Sequence, residues 1–304
     1  MISFHKTRCP ICNTENKATQ IYPENFDLEA LTPDTFSARR LPDQIHYRIV
    51  KCNNCKLVRS DPVMQIEILN QLYSDSSFNY DDQIDNLKFT YGKYLAKINS
   101  SKKDKGSLLE IGCGNGFFLE EAIRSGYSDV RGVEPSKIAI GKANERLRKH
   151  IICDIMRPGL FHPGSFDLVC MFQVLDHVPD PCSLIKECWN VLKPGGSILI
   201  INHNIDAISS KMLKEKSPII DIEHTYLFSP KTISKLLKDC NFSVKKQGLV
   251  YNRYSIPYLL KLLPLNKMMK QTLLSLFNNF LRYISLSVPL GNMYLIAQKG
   301  KKYE

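Results

Sequence analysis

The spacing of apolar and polar positions changes repeatedly along the 304-residue chain, and each change marks an element. Leu108-Leu-Glu-Ile111 is a short, mostly apolar run that ends in glycines, as a buried strand does before a sharp turn. Beyond it the pattern predicts a helix over 115–125, a strand from Val130 to Glu134, a helix over 136–148 and a strand from His150 to Asp154. Next come a strand from Phe166 to Phe172, a helix ending at Leu192, the turn Lys193-Pro-Gly-Gly196 and a strand from Ser197 to Asn202. Phe166-Asp-Leu-Val-Cys-Met-Phe172 is nearly continuous in apolar residues, which suits a central strand covered on both faces. Strands alternating with helices across short links specify an α/β protein with a doubly wound, mostly parallel sheet. Helices are expected over Met64–Tyr73, over Ile84–Ile98 and from near Ser229, with a last strand from Met293 to Gln298.

Gly112, Gly114 and Gly116 stand at alternate positions directly after the first apolar strand, and Glu134 ends the next one. Such glycines let backbone approach a ligand where a Cβ would collide, and a carboxylate at the tip of the second strand can bind a ribose diol. The pair points to a nucleoside cofactor. A dinucleotide fingerprint would require glycine at position 117, where this chain has Phe117, so a nicotinamide dinucleotide is disfavoured.

The ordered motifs Glu110-Ile-Gly-Cys-Gly-Asn-Gly116, Gly132-Val-Glu-Pro135, Cys153-Asp154, Phe166-Asp-Leu-Val169, Leu175-Asp-His-Val178 and Leu192-Lys-Pro-Gly-Gly196 span roughly residues 105–202. Together they resemble the class I S-adenosylmethionine-dependent methyltransferases. The resemblance implies a Rossmann-like, seven-stranded sheet and a cofactor site built from Glu110, Gly112, Gly114, Gly116, Glu134, Asp154 and Gln173. By that likeness the Gly112–Gly116 loop packs on the methionine portion and ribose. Glu134 grips both ribose hydroxyls, Asp154 meets the adenine amino group, and the backbone near Gln173 faces the methionine end. Asp176 stands where the family usually carries Glu.

Methyl transfer from a sulfonium is an in-line displacement in which positioning and exclusion of water supply most of the acceleration. A base is needed where the acceptor must lose a proton. His177, His203 and His224 all fall at the carboxyl ends of expected strands, where open α/β sheets bind ligands. His224 ranks first because Glu223 adjoins it and Tyr226 follows two residues on. His177 ranks second, and His224, His177 and Glu223 form the catalytic expectation.

Cys9-Pro-Ile-Cys12 and Cys52-Asn-Asn-Cys55 are two Cys-x-x-Cys hooks, whose four thiolates form the tetrahedral donor set that suits Zn2+. A redox dithiol or unpaired thiols are the alternatives. The 39 residues between Cys12 and Cys52 exceed the usual spacer, yet doubling a loop costs only about 0.6 kcal/mol more to close. Four protein ligands leave no open coordination position, so the expected role is structural. The following segment, Phe36 to Cys52, resembles the zinc-binding amino terminus of bacterial methyltransferases tied to carbohydrate or surface-polysaccharide pathways. Arg39, Arg40, His46 and Arg48 are then candidates to meet an anionic nucleotide sugar, or else form a solvated hairpin.

The organisation expected is a zinc-binding module over 1–60, a helical connector over 61–104 and a methyltransferase domain over 105–304, with 203–290 supplying substrate-side and lid elements. Tyr73 and Tyr80 flank an acidic loop before the cofactor domain, where one of them could close over the cofactor. The net charge of +11 resides almost wholly in residues 205–304, which carry 16 basic against 6 acidic residues. There it is interleaved with leucines and aromatics in Tyr258–Lys270 and Leu273–Tyr283, read as helices interrupted by Pro264. They are expected to cover the active site, with peripheral contact with an anionic membrane second and nucleic acid disfavoured. Lys261, Lys267, Lys270 and Arg282 break the run too often for a membrane span. The remaining six cysteines sit in apolar or helical contexts, and no leader peptide precedes the first hook, which fits a reducing cytoplasm. The chain thus reads as an S-adenosylmethionine-dependent methyltransferase of a small molecule, a sugar or nucleotide sugar by resemblance. An RNA methyltransferase or a noncatalytic cofactor-binding protein are the alternatives. Oligomeric state is not encoded in any feature identified.

Overall fold

The computed structural model describes residues 4–26, 45–65, 83–98, 104–262, 268–269, 272 and 284–300. The expected helices over Met64–Tyr73 and Leu273–Tyr283, together with Arg39, Arg40, Tyr73 and Tyr80, lie largely or wholly outside the described residues.

A seven-stranded sheet organises the chain, in the spatial order Phe242–Leu249, Asn292–Lys299, Leu192–His203, Phe166–Phe172, Ser107–Ile111, Asp129–Val133, Ile151–Ile152. Asn292–Lys299 runs antiparallel to both of its neighbours, and the four pairings on the other side are parallel. The order turns back at Ser107–Ile111, between strands Asp129–Val133 and Phe166–Phe172. That is the switch point where a doubly wound sheet opens a crevice at its strand ends.

Strict alternation along the strands makes two cores. Leu109, Ile111, Val169, Met171, Ile198 and Ile200 face helices Pro181–Val191 and Pro230–Asp239. Leu108, Leu168, Cys170, Phe172, Leu199 and Ile201 face the other way, onto helices Ile84–Leu95 and Phe117–Arg124. A period of two places successive side chains on opposite faces, and a parallel sheet requires both to be apolar. The helix starts are fixed locally. Asp180 accepts from the Ser183 amide at 2.9 Å ahead of Pro181, and Ser229 and Thr232 cap each other reciprocally.

Three elements differ from the periodicity. The helix expected over 136–148 is two, Lys137–Gly141 and Glu145–Arg148, because the Asn144 side chain accepts from the Arg146 amide and starts a new one. The strand expected from His150 to Asp154 is confined to Ile151–Ile152 at the sheet edge. Phe242–Leu249 is an edge strand that periodicity missed, since Lys245, Lys246 and Gln247 give it no apolar run; such charge is how exposed edges resist further pairing.

The amino-terminal sheet joins Ala18–Tyr22, Ile49–Cys52 and Val58–Ser60, and its fourth strand is Tyr226–Leu227, which follows His224. The Ser60 amide donates to the Thr225 carbonyl at 2.9 Å, and the Ser60 hydroxyl donates to the His224 carbonyl at 2.9 Å. Cys9, Cys52 and Leu57 are fully buried in the same apolar cluster as Phe228 and Ile233. The amino-terminal segment is therefore packed into the main fold, and it braces the loop that carries His224. Among the described residues, no helix is long and apolar enough to cross a membrane.

Candidate active site

A cavity of about 720 Å³ opens at the carboxyl ends of the central strands, within the usual range for small-molecule sites. One end is walled by Glu110, Gly112, Gly114, Glu134, Asp154 and Gln173, so six of the seven expected cofactor residues share it. The Gly114 amide donates to Glu134 Oε2 at 3.0 Å and the Ser136 amide to Oε1 at 2.8 Å, which aims the carboxylate across the glycine loop. Burial raises the Glu134 pKa, and these two amides oppose the shift. Glu110 is buried completely, and burial together with the Glu134 charge pushes its pKa well up. Its Oε2 has no hydrogen-bond partner among the described residues. Asp154 receives the Arg157 guanidinium at 2.8 and 3.0 Å, which holds its carboxyl below the usual range.

Gly116 is not among the residues lining the cavity; with φ +74° it caps the helix Phe117–Arg124. Gly112, at φ +70°, could carry no Cβ because one would meet Val174 Cγ2 at 2.6 Å. At these two positions backbone conformation and packing already require glycine, and Gly112 also lines the cavity. Gln173 also has a left-handed backbone, φ +56°, with its amide donating to the Ile201 carbonyl at 2.8 Å. Strain of this kind in a non-glycine residue is characteristic of functional sites.

At the other end of the cavity, three histidines surround Asp176, which is wholly buried. His203 Nδ1 donates to Asp176 Oδ2 at 2.5 Å. His177 Nε2 lies 3.7 Å from Oδ1, and His224 Nε2 lies 3.9 Å from Oδ2. The ring centroids of His177 and His203 lie 4.8 and 4.7 Å from that of His224. His177 Nδ1 donates to the Glu223 carbonyl at 3.0 Å and His224 Nδ1 to the Ile219 carbonyl at 2.9 Å. A carbonyl can only accept, so each of those Nδ1 atoms carries the proton and each Nε2 presents a lone pair in the neutral ring. Burial lowers the pKa of His177 and of His224. Burial works against ionisation of Asp176; the positive charge that His177, His203 and His224 carry when protonated, together with the His203 hydrogen bond, lowers its pKa.

The three residues of the catalytic expectation, His224, His177 and Glu223, all line the cavity and come together there. His203 was one candidate among three by sequence; its pairing with Asp176 becomes visible only when the two loops meet. Sequence reasoning missed Tyr91, which stacks on Phe172 with centroids 4.2 Å apart, and Asn252, Tyr254 and Tyr258, which line the same cavity. Tyr91 was legible as part of an apolar helix face, with no signal that the face also borders a ligand. In the zinc hooks the four cysteine sulfurs lie within 4.8 Å of one another, and Asn13 and Lys56, each four residues after the first cysteine of its hook, have φ of +53° and +67°. Of the proposed anion binders, His46 is fully buried with Nε2 3.2 Å from Glu215, and Arg48 is held by Asp61.

A family model described as "Methyltransferase domain" matches residues 83–247. A ubiquinone biosynthesis O-methyltransferase of Methylococcus capsulatus is 26% identical over 160 residues, covering 47% of this chain and 66% of that protein. A namesake from Cupriavidus pinatubonensis is 27% identical over 165 residues, covering 50% of this chain and again 66% of the relative. The match thus spans just under two thirds of the length of these relatives. Among solved structures, a chain from the complex between the Haloferax volcanii Trm112 methyltransferase activator and a methyltransferase superposes with a TM-score of 0.53 at 17% identity, covering 73% of this chain and 93% of that one.

Replacing Asp176 with alanine leaves the imidazoles around a buried void and removes the acceptor of the His203 hydrogen bond. We expect Asp176→Ala to lower unfolding free energy by about 3–5 kcal/mol, the usual cost of removing one partner from a buried charged cluster. Urea denaturation followed by circular dichroism measures it; a loss below about 1 kcal/mol would show that the carboxylate does not hold this corner together.

Proposed function

The chain belongs to the methyltransferase-domain family, and on that premise we propose that it methylates a hydroxyl group of a small, largely apolar acceptor bound beside the Asp176 cluster. The enzyme is an S-adenosylmethionine-dependent methyltransferase; the acceptor and the residue roles are our reading. The observation that carries it is one continuous cavity lined both by Glu134 with the glycine loop and by His177, His203 and His224, the three histidines that pack around the buried Asp176.

The cofactor residues fit the nucleoside. Glu134 is aimed by two backbone amides and would hold the ribose diol, and Asp154 and Ile155 would border the adenine. S-adenosylmethionine supplies an electrophilic methyl group on a positively charged sulfur. The chain orients the acceptor oxygen against it and keeps water out, which Tyr91, Phe172, Tyr254 and Leu290 do as cavity walls. His203 would take the acceptor's proton at Nε2. Its Nδ1–H is engaged by Asp176, which orients the ring and stabilises the imidazolium that forms. Glu223 and His224 shape the acceptor side of the same wall.

The acceptor reading departs from the sugar expected by resemblance. The curated relatives carry the name of O-methyltransferases of ubiquinone biosynthesis, and that name gives a sugar no support. His46 and Arg48 are spent on structural contacts, so they do not offer an anion site. Aromatic walls such as Tyr91, Phe172, Tyr254 and Tyr258, interspersed with polar side chains, suit a hydroxylated ring.

For the cysteine hooks we propose structural Zn2+ held by Cys9, Cys12, Cys52 and Cys55. Two left-handed turns at matching positions converge four sulfurs, which fits a tetrahedral thiolate site, and a closed site supplies no reactive position.

Three outcomes are expected. Glu134→Gln should weaken S-adenosylmethionine binding about tenfold to a hundredfold by calorimetry, the scale of hydrogen bonds to a charged group; unchanged affinity would remove Glu134 from the ribose site. With labelled cofactor, methyl transfer should reach hydroxylated aromatic acceptors and should collapse in His203→Gln, whereas transfer to nucleotide sugars or RNA instead would overturn the acceptor reading. A strong chelator should release one zinc per chain and lower the thermal midpoint, because the hooks are buried in the main core; metal-free protein with an unchanged midpoint would refute the structural role.

A further inference from the structure

We propose that Cys182 and Cys240 form a redox-active dithiol, which hydrogen peroxide closes to a disulfide and a thiol reductant reopens. The pair is separate from the four-cysteine hooks, and it depends neither on the methyl transfer nor on the zinc proposed above.

The two residues are 58 positions apart in sequence, yet their sulfurs stand 3.8 Å apart. Cys182 is the second residue of helix Pro181–Val191, and Cys240 follows the last residue of helix Pro230–Asp239. Both helices pack in one apolar core on the same face of the sheet, so the start of one meets the end of the other. Cys240 Sγ also lies 3.9 Å from the Cys182 carbonyl oxygen, against the main chain of its partner. An S–S bond is about 2.05 Å long, so the sulfurs must approach by roughly 1.7 Å, which a thiol covers by turning about its own Cα–Cβ bond. Among the described residues, no third donor side chain joins the pair to make a metal site, and neither cysteine lines the cavity.

Their surroundings divide the roles. Cys182 is half-buried and within reach of a small solute, whereas Cys240 is buried. Burial first, and then the neighbouring Cys182, push the Cys240 pKa up to about 12, with Lys186 acting in the opposite direction. Cys240 therefore keeps its proton until its partner has reacted. Oxidant meets Cys182, and Cys240 resolves the product.

In the first step the Cys182 thiolate attacks one peroxide oxygen. The O–O bond breaks, its electron pair leaves on the second oxygen, and that oxygen is protonated to water while Cys182 becomes a sulfenic acid. In the second step the Cys240 sulfur attacks the Cys182 sulfur, the S–O bond breaks, and the departing hydroxide takes the Cys240 proton as a second water. Two thiols and one hydrogen peroxide thus give one disulfide and two waters, with two electrons passing from sulfur to oxygen. Val178, Pro179, Asp180, Ser183 and Leu184, on either side of Cys182, line the cavity. A cross-link there ties that wall to the end of helix Pro230–Asp239 and stabilises the folded chain by closing a long loop.

The test treats reduced full-length protein with a small excess of hydrogen peroxide, alkylates the remaining thiols, digests without reductant and maps the peptides by mass spectrometry. The peptide holding Cys182 should be joined to the one holding Cys240 and should separate again in dithiothreitol, and the oxidised protein should melt several degrees above the reduced one. Cys182→Ser and Cys240→Ser should each abolish the joined peptide and the rise in midpoint. Dimedone, which captures sulfenic acids, should label Cys182 in Cys240→Ser and leave Cys240 unlabelled in Cys182→Ser. Mapping of the native chain decides the matter alone should either variant fail to fold. Alkylation of both thiols after peroxide treatment, a link that forms only in urea, or pairing of either residue with another cysteine would overturn the site, and dimedone on Cys240 in place of Cys182 would overturn the division of roles.

Discussion

One buried carboxylate governs the reactive end of this molecule. Asp176 is inaccessible to water, and burial by itself would keep it neutral; the His203 hydrogen bond, and the charge of the neighbouring histidines when they are protonated, favour the ionised form. Its side chain sets the orientation of His203, and its carbonyl receives the Thr225 and Tyr226 amides that follow His224. Loops distant in sequence are therefore tied to one residue from both its main chain and its side chain. The short aspartate side chain suits this role, since it keeps the charge close to its own backbone while the histidines approach from neighbouring loops.

The amino-terminal segment gains its purpose from the same corner. Its strand Val58–Ser60 pairs with Tyr226–Leu227, and Ser60 holds both the Thr225 and His224 carbonyls. The cysteine hooks fold back on the start of this strand through the Cys52 amide bonded to Leu57, so the sulfur cluster anchors a brace that reaches the histidine loop. A small unit with little core of its own is stabilised by burial against the larger domain and by cross-linking. The cysteines are thus chemically remote from methyl transfer yet mechanically adjacent to it.

Much of this was legible in the chain. The buried strand Phe166–Phe172 was readable to the residue because both faces are covered, so every position except Asp167, at its partly buried start, is apolar. Glu134 and the glycine loop were readable because strand–turn–helix geometry dictates where they meet. What escaped had physical causes. Phe242–Leu249 is an exposed, charged edge, so no hydrophobic period announced it. The left-handed cap that Gly116 forms on its helix was not legible from the glycine spacing. His203 could not be distinguished from His177 and His224 by position, since its hydrogen bond to Asp176 spans 27 residues and forms only where two strand ends lie side by side. The joining of Tyr226–Leu227 to the amino-terminal sheet is a long-range pairing of just two residues per strand, below the threshold of any periodic signal.

These relations converge on a single spatial claim: the sulfonium end of the cofactor lies between the Gly112 loop and the Asp176 cluster. The most direct measurement is a crystal structure with S-adenosylhomocysteine bound. The account predicts ribose hydroxyls on Glu134 and the thioether sulfur facing the side of the cavity lined by His177, His203 and His224. Density showing the nucleoside seated elsewhere, or the sulfur turned away from those histidines, would contradict it.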